Sequence, residues 1–369
     1  MAQTFDIAVL GETPAGCAAA RYLAARGRSV ALVRAPHAEV ESPLADWVPG
    51  DFFRMADLPS ALRQRVGGAA FKRVEYHDAE LSRQEQRTSR SVLGYFLPAG
   101  GLTEATRDAA RKAGAKCRSS RTAPTLRLDD SGVRIIGTTQ TQARLLLLAH
   151  GRPSDVVSDL SLPIQTTPSV PLIVTGLDVP LDGDDGGLNG ALHVVESRER
   201  SQMGLFFVVD DTLHMRIVSN SAAAGNPAAE LSTLVADLQG AEILPRRVAL
   251  GKAKGGVWYP PAAALDLETH VVKRCLLVGT AGGFVDAVGG QTLWPSVRSA
   301  LLAARVADDA LDTDDPQAAL EDFRKVWRKE LGDYLRPPST SLQMLLPLLF
   351  ANRRIVGRFT DALLFGKAI

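Results

Sequence analysis

Apolar residues run almost unbroken through FDIAVL (5–10) and stop at Gly11. A short apolar run closed by glycine predicts a strand buried on both faces, as in a parallel sheet. AGCAAARYLAARG (15–27) follows. Its alanines favour helix, and Gly27 suits the C-cap. SVALV (29–33) predicts a second buried strand, so residues 5–33 read as a βαβ unit.

Further on the pattern changes character. Residues 36–100 scatter Pro, Gly and charge and read as excursions from the domain that the βαβ unit opens. GLTEATRDAARKAGAK (101–116) predicts a helix with Leu102, Ala105, Ala109 and Ala110 on one side. TLRLDDSGVRIIG (125–137) predicts a hairpin turning at Asp129–Gly132, and ARLLLLAHG (143–151) a third buried strand. Between 170 and 260, VPLIVTGL, GALHVVES, QMGLFFVVD and LHMRIVSN are separated by Gly, Asp and Asn. They predict a mostly antiparallel sheet, interrupted by the helix PAAELSTLVADLQG. KRCLLVGTAGGF (273–284) returns to the strand and glycine-turn pattern, and TLWPSVRSALLAARVADDAL (292–311) predicts a long helix. The expected organisation is therefore a discontinuous nucleotide domain (1–169 and 262–335), an inserted sheet domain (170–261) and a helical tail (336–369).

Composition narrows this only slightly. The 369 residues are 46% hydrophobic and 22% charged, with a net charge of +1, which suits a globular protein and gives no footprint for nucleic acid. Three cysteines, Cys17, Cys117 and Cys275, share no metal-like spacing, and their odd number argues against a disulfide framework. No secretory signal pattern opens the chain, so a reducing cytoplasm is expected. His214 and His270 have no ligand-spaced partners, so no metal site is expected.

Three segments taken together resemble the flavoprotein superfamily of para-hydroxybenzoate hydroxylase, and especially its geranylgeranyl reductase-like branch. Gly11 to Arg34 is similar to the first FAD fingerprint, LLLLAHGRPSDVV (145–157) to the central strand and Ala-Asp-Gly turn, and CLLVGTAGGF with its following helix (275–311) to the Gly-Asp segment. The resemblance covers most of residues 5–311. It implies an α/β fold of the GR2 flavoprotein type: a Rossmann-like FAD-binding domain, the inserted antiparallel sheet and C-terminal helices. It also implies FAD held by Gly11, Thr13, Pro14, Ala15, Gly16, Arg34, Gly279, Thr280, Ala281, Gly282 and Gly283. The pyrophosphate would rest at a helix N-terminus. The implied activity is a flavin-dependent oxidoreductase, monooxygenase or double-bond reductase, acting on an apolar or aromatic small molecule. NAD(P)H would be a transient reductant, or a redox partner protein would take its place.

Departures fall on the ligand contacts. Thr13 stands where backbone approaches the pyrophosphate, and Arg34, 23 residues after Gly11, stands where an acid holds the ribose. Thr280 replaces the aspartate of the Gly-Asp pair, His150 that of the Ala-Asp-Gly turn, and Leu97–Ala99 occupy the place of an arginine. Arg34 faces either a phosphate or solvent. The second reading is a scaffold with lost or altered FAD binding, used as a non-redox ligand-binding or assembly protein. The expected substrate pocket comprises Phe206, Trp258, Tyr259, Asp286 and Trp294, with Phe206 and Phe207 alternating faces. No catalytic residue is singled out. Cys17 reads as helix packing. The tail, with Arg353, Arg354, Arg358 and Lys367 among apolar residues, lies either against the protein or at a membrane interface.

Overall fold

The computed structural model describes residues 4–36, 45–55, 58, 60–98, 100–151, 172–181, 183, 186–197, 202–220, 227–246, 248, 254–258, 264–286, 288–336 and 342–367. Its first sheet is built on the predicted apolar runs. β1 (Thr4–Leu10) lies between β2 (Val30–Arg34) and β11 (Gln140–Leu148), parallel to both. β8 (Lys116–Ser119) extends one edge and β18 (Cys275–Leu277) the other, again in parallel. β17 (Val271–Val272) pairs antiparallel with β18, and the hairpin β9 (Thr125–Asp129) and β10 (Gly132–Ile136) joins β11. Both faces of this sheet are covered, which is why its strands read as unbroken apolar runs. Ile7 and Val9 enter one hydrophobic cluster, Ala8 and Leu10 another. Ile7, Val9 and Leu10 each contribute about 1.5–3 kcal/mol on burial, and the Ala8 methyl less.

Helix α1 (Pro14–Ala25) follows β1 through a turn in which Gly11 takes φ 122°. Gly16 has no substitute: a Cβ there would lie 2.1 Å from the Gly11 carbonyl oxygen. Helices α2 (Gly101–Lys112) and α4 (Leu293–Ala310) pack against α1. Cys17 is fully buried in this packing. Asp308 of α4 is buried and accepts hydrogen bonds from the side chains of Arg26 and Arg28, pinning the end of α1 to α4.

The second sheet has seven strands. In spatial order they are β16 (Lys254–Trp258), β12 (Leu172–Pro180), β15 (Thr212–Asn220), β14 (Gln202–Val209), β13 (Ala191–Glu196), β5 (Arg73–His77) and β6 (Gln84–Thr88). All its pairings are antiparallel except β13 with β5. The segment 36–100 is thus less irregular than its composition suggests. It supplies β5 and β6, and also a three-stranded sheet of β3 (Asp46–Pro49), β7 (Gly94–Leu97) and β4 (Ala69–Phe71). Those strands are short and carry mixed polarity, so period-two alternation is weak in them.

One face of the seven-stranded sheet carries α3 (Pro227–Gly240); Leu231, Val235 and Leu238 pack there with Phe206, Met215 and Ile217. The opposite face, with Leu205, Phe207 and Val218, turns toward Trp47 and Phe96 and toward the C-terminal helices. Those helices are α5 (Asp322–Leu335), α6 (Leu342–Leu349) and α7 (Arg353–Phe365). Leu346, Leu349, Val356, Phe359, Leu363 and Leu364 are all buried in that cluster, while Leu348 is exposed. Among the described residues, no helix is long and apolar enough to cross a membrane.

Candidate functional site

The two glycine corners meet. Gly279 takes φ 59° in a single 3-10 turn, Gly279–Gly282, and a Cβ on it would come within 3.2 Å of the Ala15 Cβ. Thr13 is the N-cap of α1: its Oγ1 accepts the Gly16 N–H at 3.1 Å and donates to the Ala149 carbonyl at 3.1 Å. It thereby occupies a donor that a helix N-terminus otherwise offers to an anion. Glu12 places a carboxylate at the same corner, paired with Arg107 of α2 at 3.3 Å. In the second corner the Gly279 N–H donates to Ser299 Oγ, and the amides of Gly283, Phe284 and Val285 donate to carbonyls within the turn. Gly11, Thr13, Pro14, Ala15, Gly16 and the whole run Gly279–Gly283 are buried. Arg34 is different. It ends β2 exposed to solvent.

A second cluster lies where the nucleotide half, the seven-stranded sheet and α5 converge. Arg216 of β15, 3% exposed, donates to Asp46 Oδ1 at 3.3 Å and to the Ala45 carbonyl. Its guanidinium sits over Trp47 at 5.1 Å and over Phe207 at 5.7 Å, both cation–π distances. Asp286 is buried near Asp46, accepting the Gly289 N–H at Oδ2, while its own N–H donates to the Gln291 carbonyl. Tyr334 of α5 donates to Gln291 Oε1 at 3.4 Å. Burial pushes the Asp286 carboxyl up to about 7, and the nearby Asp46 adds to the shift. Asp46 is also raised by burial, against the pull of Arg216, and the Tyr334 phenol lies well above its ordinary value for the same reason. Three buried polar atoms of this cluster have no hydrogen-bond partner: Asp46 Oδ2, Trp47 Nε1 and Gln291 Nε2. Unpaired buried polar groups cost about 1–3 kcal/mol each and need an explanation.

The pocket residues expected from sequence separate. Asp286 belongs to this cluster. Trp294 lies in the nucleotide-side core, edge-on to Phe52. Trp258 is buried on the sheet face that turns toward the cluster. Phe206 lies apart from this cluster: it stacks on His193 on the α3 face, and Phe207 is the ring that reaches Trp47 and Arg216. Strand alternation sends neighbours to opposite faces, and register alone decides which goes inward. Tyr259 lies outside the described residues. Sequence reading missed Asp46, Trp47, Arg216, Gln291 and Tyr334. Arg216 carried a signal, as a charge inside the apolar strand LHMRIVSN.

Among the described residues, one set of metal-type side chains also comes together, Glu75, His77 and His193, all buried. His77 Nε2 and His193 Nδ1 are 3.2 Å apart, with ring centroids at 5.5 Å and planes within 15°. The two nitrogens face each other head-on, the geometry of a shared N–H···N bond. Glu75 is already held by Arg73 and Gln84. Hydrogen bonding accounts for Glu75 and for the facing nitrogens of the two histidines, while His193 Nε2 is buried without a partner.

No protein-family model matches the chain, and comparison with curated proteins returned no match. Solved structures do match it over its whole length. A geranylgeranyl bacteriochlorophyll reductase-like protein from Thermoplasma acidophilum is 16% identical, with a TM-score of 0.75, covering 100% of this chain and 98% of its own. A flavin-dependent brominase is 13% identical, TM-score 0.71, covering 98% and 94%. p-Nitrophenol 4-monooxygenase from Pseudomonas putida is 14% identical, TM-score 0.70, covering 98% and 94%. The architecture is that of the FAD-binding Rossmann-type flavoproteins. At these identities the likeness establishes the fold.

Tested against FAD, the corner divides. The backbone fits: Gly11, Gly16 and Gly279 keep the turns and the close approach that a dinucleotide corner requires, and α1 points its positive end there. The side chains stand against a pyrophosphate, because Thr13 takes the Gly16 N–H and Glu12 adds negative charge. A pyrophosphate at this corner would compete with Thr13 for the Gly16 N–H and would meet the Glu12 carboxylate.

Proposed function

We propose that the chain is a flavin-dependent oxidoreductase acting on an apolar or aromatic small molecule, with FAD held weakly. The observation that carries this reading is the buried Asp46–Arg216–Asp286–Gln291 cluster, with its three unpartnered polar atoms, set between the two halves of a flavoprotein fold. The backbone around Gly11, Pro14, Ala15, Gly16 and Thr280 would hold the cofactor. Bound FAD supplies hydride or oxygen chemistry. The chain's own groups orient and insulate: Arg216 offers a fixed charge, Trp47 and Phe207 exclude water, and Asp286, with its carboxyl near 7, holds or releases a proton at its oxygens. NAD(P)H or a redox partner protein provides electrons.

One observation favours the second reading, a redox-silent scaffold: both glycine corners are buried by the chain itself. FAD titration separates the two. Wild-type protein is expected to bind FAD weakly and take on the flavin absorbance. Thr13→Gly frees the Gly16 N–H and is expected to tighten binding about 10–100-fold, the value of one charge-assisted hydrogen bond. Arg34→Glu, at an exposed strand end, adds to the gain by supplying acceptors for the ribose. If excess wild type and both variants leave the absorbance and fluorescence of FAD unchanged, the flavin reading falls and the scaffold reading stands.

A further inference from the structure

The α3 face of the seven-stranded sheet holds a cavity of about 290 Å³, lined from one side by the sheet and from the other by α3. It lies on the side away from Phe207 and the Arg216 cluster, so it is separate from the site described above. Its walls are apolar at Leu81, Val195, Ile217 and Leu234. Among the described residues its charged lining is of one sign: Glu196, Glu230 and Asp237 contribute carboxylates, and no described Lys, Arg or His lines it.

Two polar atoms at this cavity are buried without a hydrogen-bond partner: Gln202 Nε2, on a side chain only 2% exposed, and Glu230 Oε2. A buried carboxylate oxygen and a buried amide N–H without partners are costly in a finished core. Both are satisfied by a ligand that brings its own donor and acceptor. Gly204 lies in the floor, where a Cβ would come within 3.0 Å of Leu234. The sheet and α3 are therefore already in close contact beside the cavity, and the space belongs to a formed site rather than to loose packing.

We propose that this cavity is a second ligand site, selective for a small primary amine on an apolar body, with the ammonium at Glu230 and the body between Ile217, Val195 and Leu234. The carboxylates repel anions and make a neutral analogue a poorer ligand. This site does not depend on the flavin corner, and it is tested without FAD.

The probe is tryptamine, with its neutral counterpart tryptophol, titrated calorimetrically into the full-length chain. Tryptamine is expected to saturate one site below about 1 mM, a modest affinity for a ligand of its size. Tryptophol is expected to bind at least about tenfold more weakly, and Glu230→Gln to reduce tryptamine affinity by about 10–100-fold. Leu234→Trp, on a half-buried helix position, fills the cavity and is expected to abolish binding while thermal unfolding stays cooperative. Absence of saturable tryptamine binding, or unchanged affinity in Glu230→Gln, overturns the proposal. Loss of FAD binding alone leaves it standing.

Discussion

Arg216→Met is expected to lower the stability of the folded chain by about 3–5 kcal/mol at neutral pH, the usual loss when one partner of a buried ion pair is removed. Arg216 and Asp46 are 3% and 2% exposed, so water does not replace the missing partner. The guanidinium donates to Asp46 Oδ1 and to the Ala45 carbonyl, and its flat face covers Trp47 and Phe207. Methionine keeps much of the volume and loses every donor. Among the described residues, Asp46 is then a buried carboxylate that keeps one hydrogen bond, from the backbone N–H of Trp47 at 2.9 Å. Urea unfolding at pH 7 measures the loss. Asp46→Asn in the same chain is expected to recover most of it, because the uncompensated charge is gone. A single variant within 1 kcal/mol of wild type would show that Asp46 is neutral in the native protein.

Asp286→Asn is expected to stabilise the chain above neutrality and to flatten its pH dependence. The folded carboxyl titrates near 7, against 3.8 for the free group, with burial as the main cause and Asp46 adding to it. A raised carboxyl stabilises the fold fully below about 3.8, and that contribution is lost as pH rises through 7. The interval corresponds to on the order of 4 kcal/mol. Asparagine keeps an oxygen for the Gly289 N–H and has no charge to bury. The comparison is unfolding free energy at pH 5 and pH 8 for wild type and variant. Wild type should lose more stability between those values than the variant does. Equal slopes would mean that Asp286 is ionised throughout, and the proton-handling role given to it above would go with that result.

Much of the architecture is legible in the chain because it is written locally. FDIAVL, SVALV and LLLLA are apolar without alternation since both faces of the parallel sheet are covered. Gly11 and Gly16 sit where Cβ atoms have no room, and the alanines of α1 favour helix by intrinsic propensity. The order of these pieces, with a glycine turn near each end of an inserted sheet, also points to the right fold.

What the chain does not show locally is which side chains close the site. Thr13 meets the Ala149 carbonyl across 136 residues, and Arg216 meets Asp46 across 170. Tyr334 meets Gln291 only because α5 folds back over that loop. Phe206 and Phe207 are indistinguishable in composition, and strand register turns one toward α3 and the other toward Arg216. Periodicity and propensity act over a few residues, so they settle the elements and the glycine turns. Distant pairings depend on register and on how the two sheets and the C-terminal helices pack, and those decide the burial, the shifted carboxyls and the closed corner.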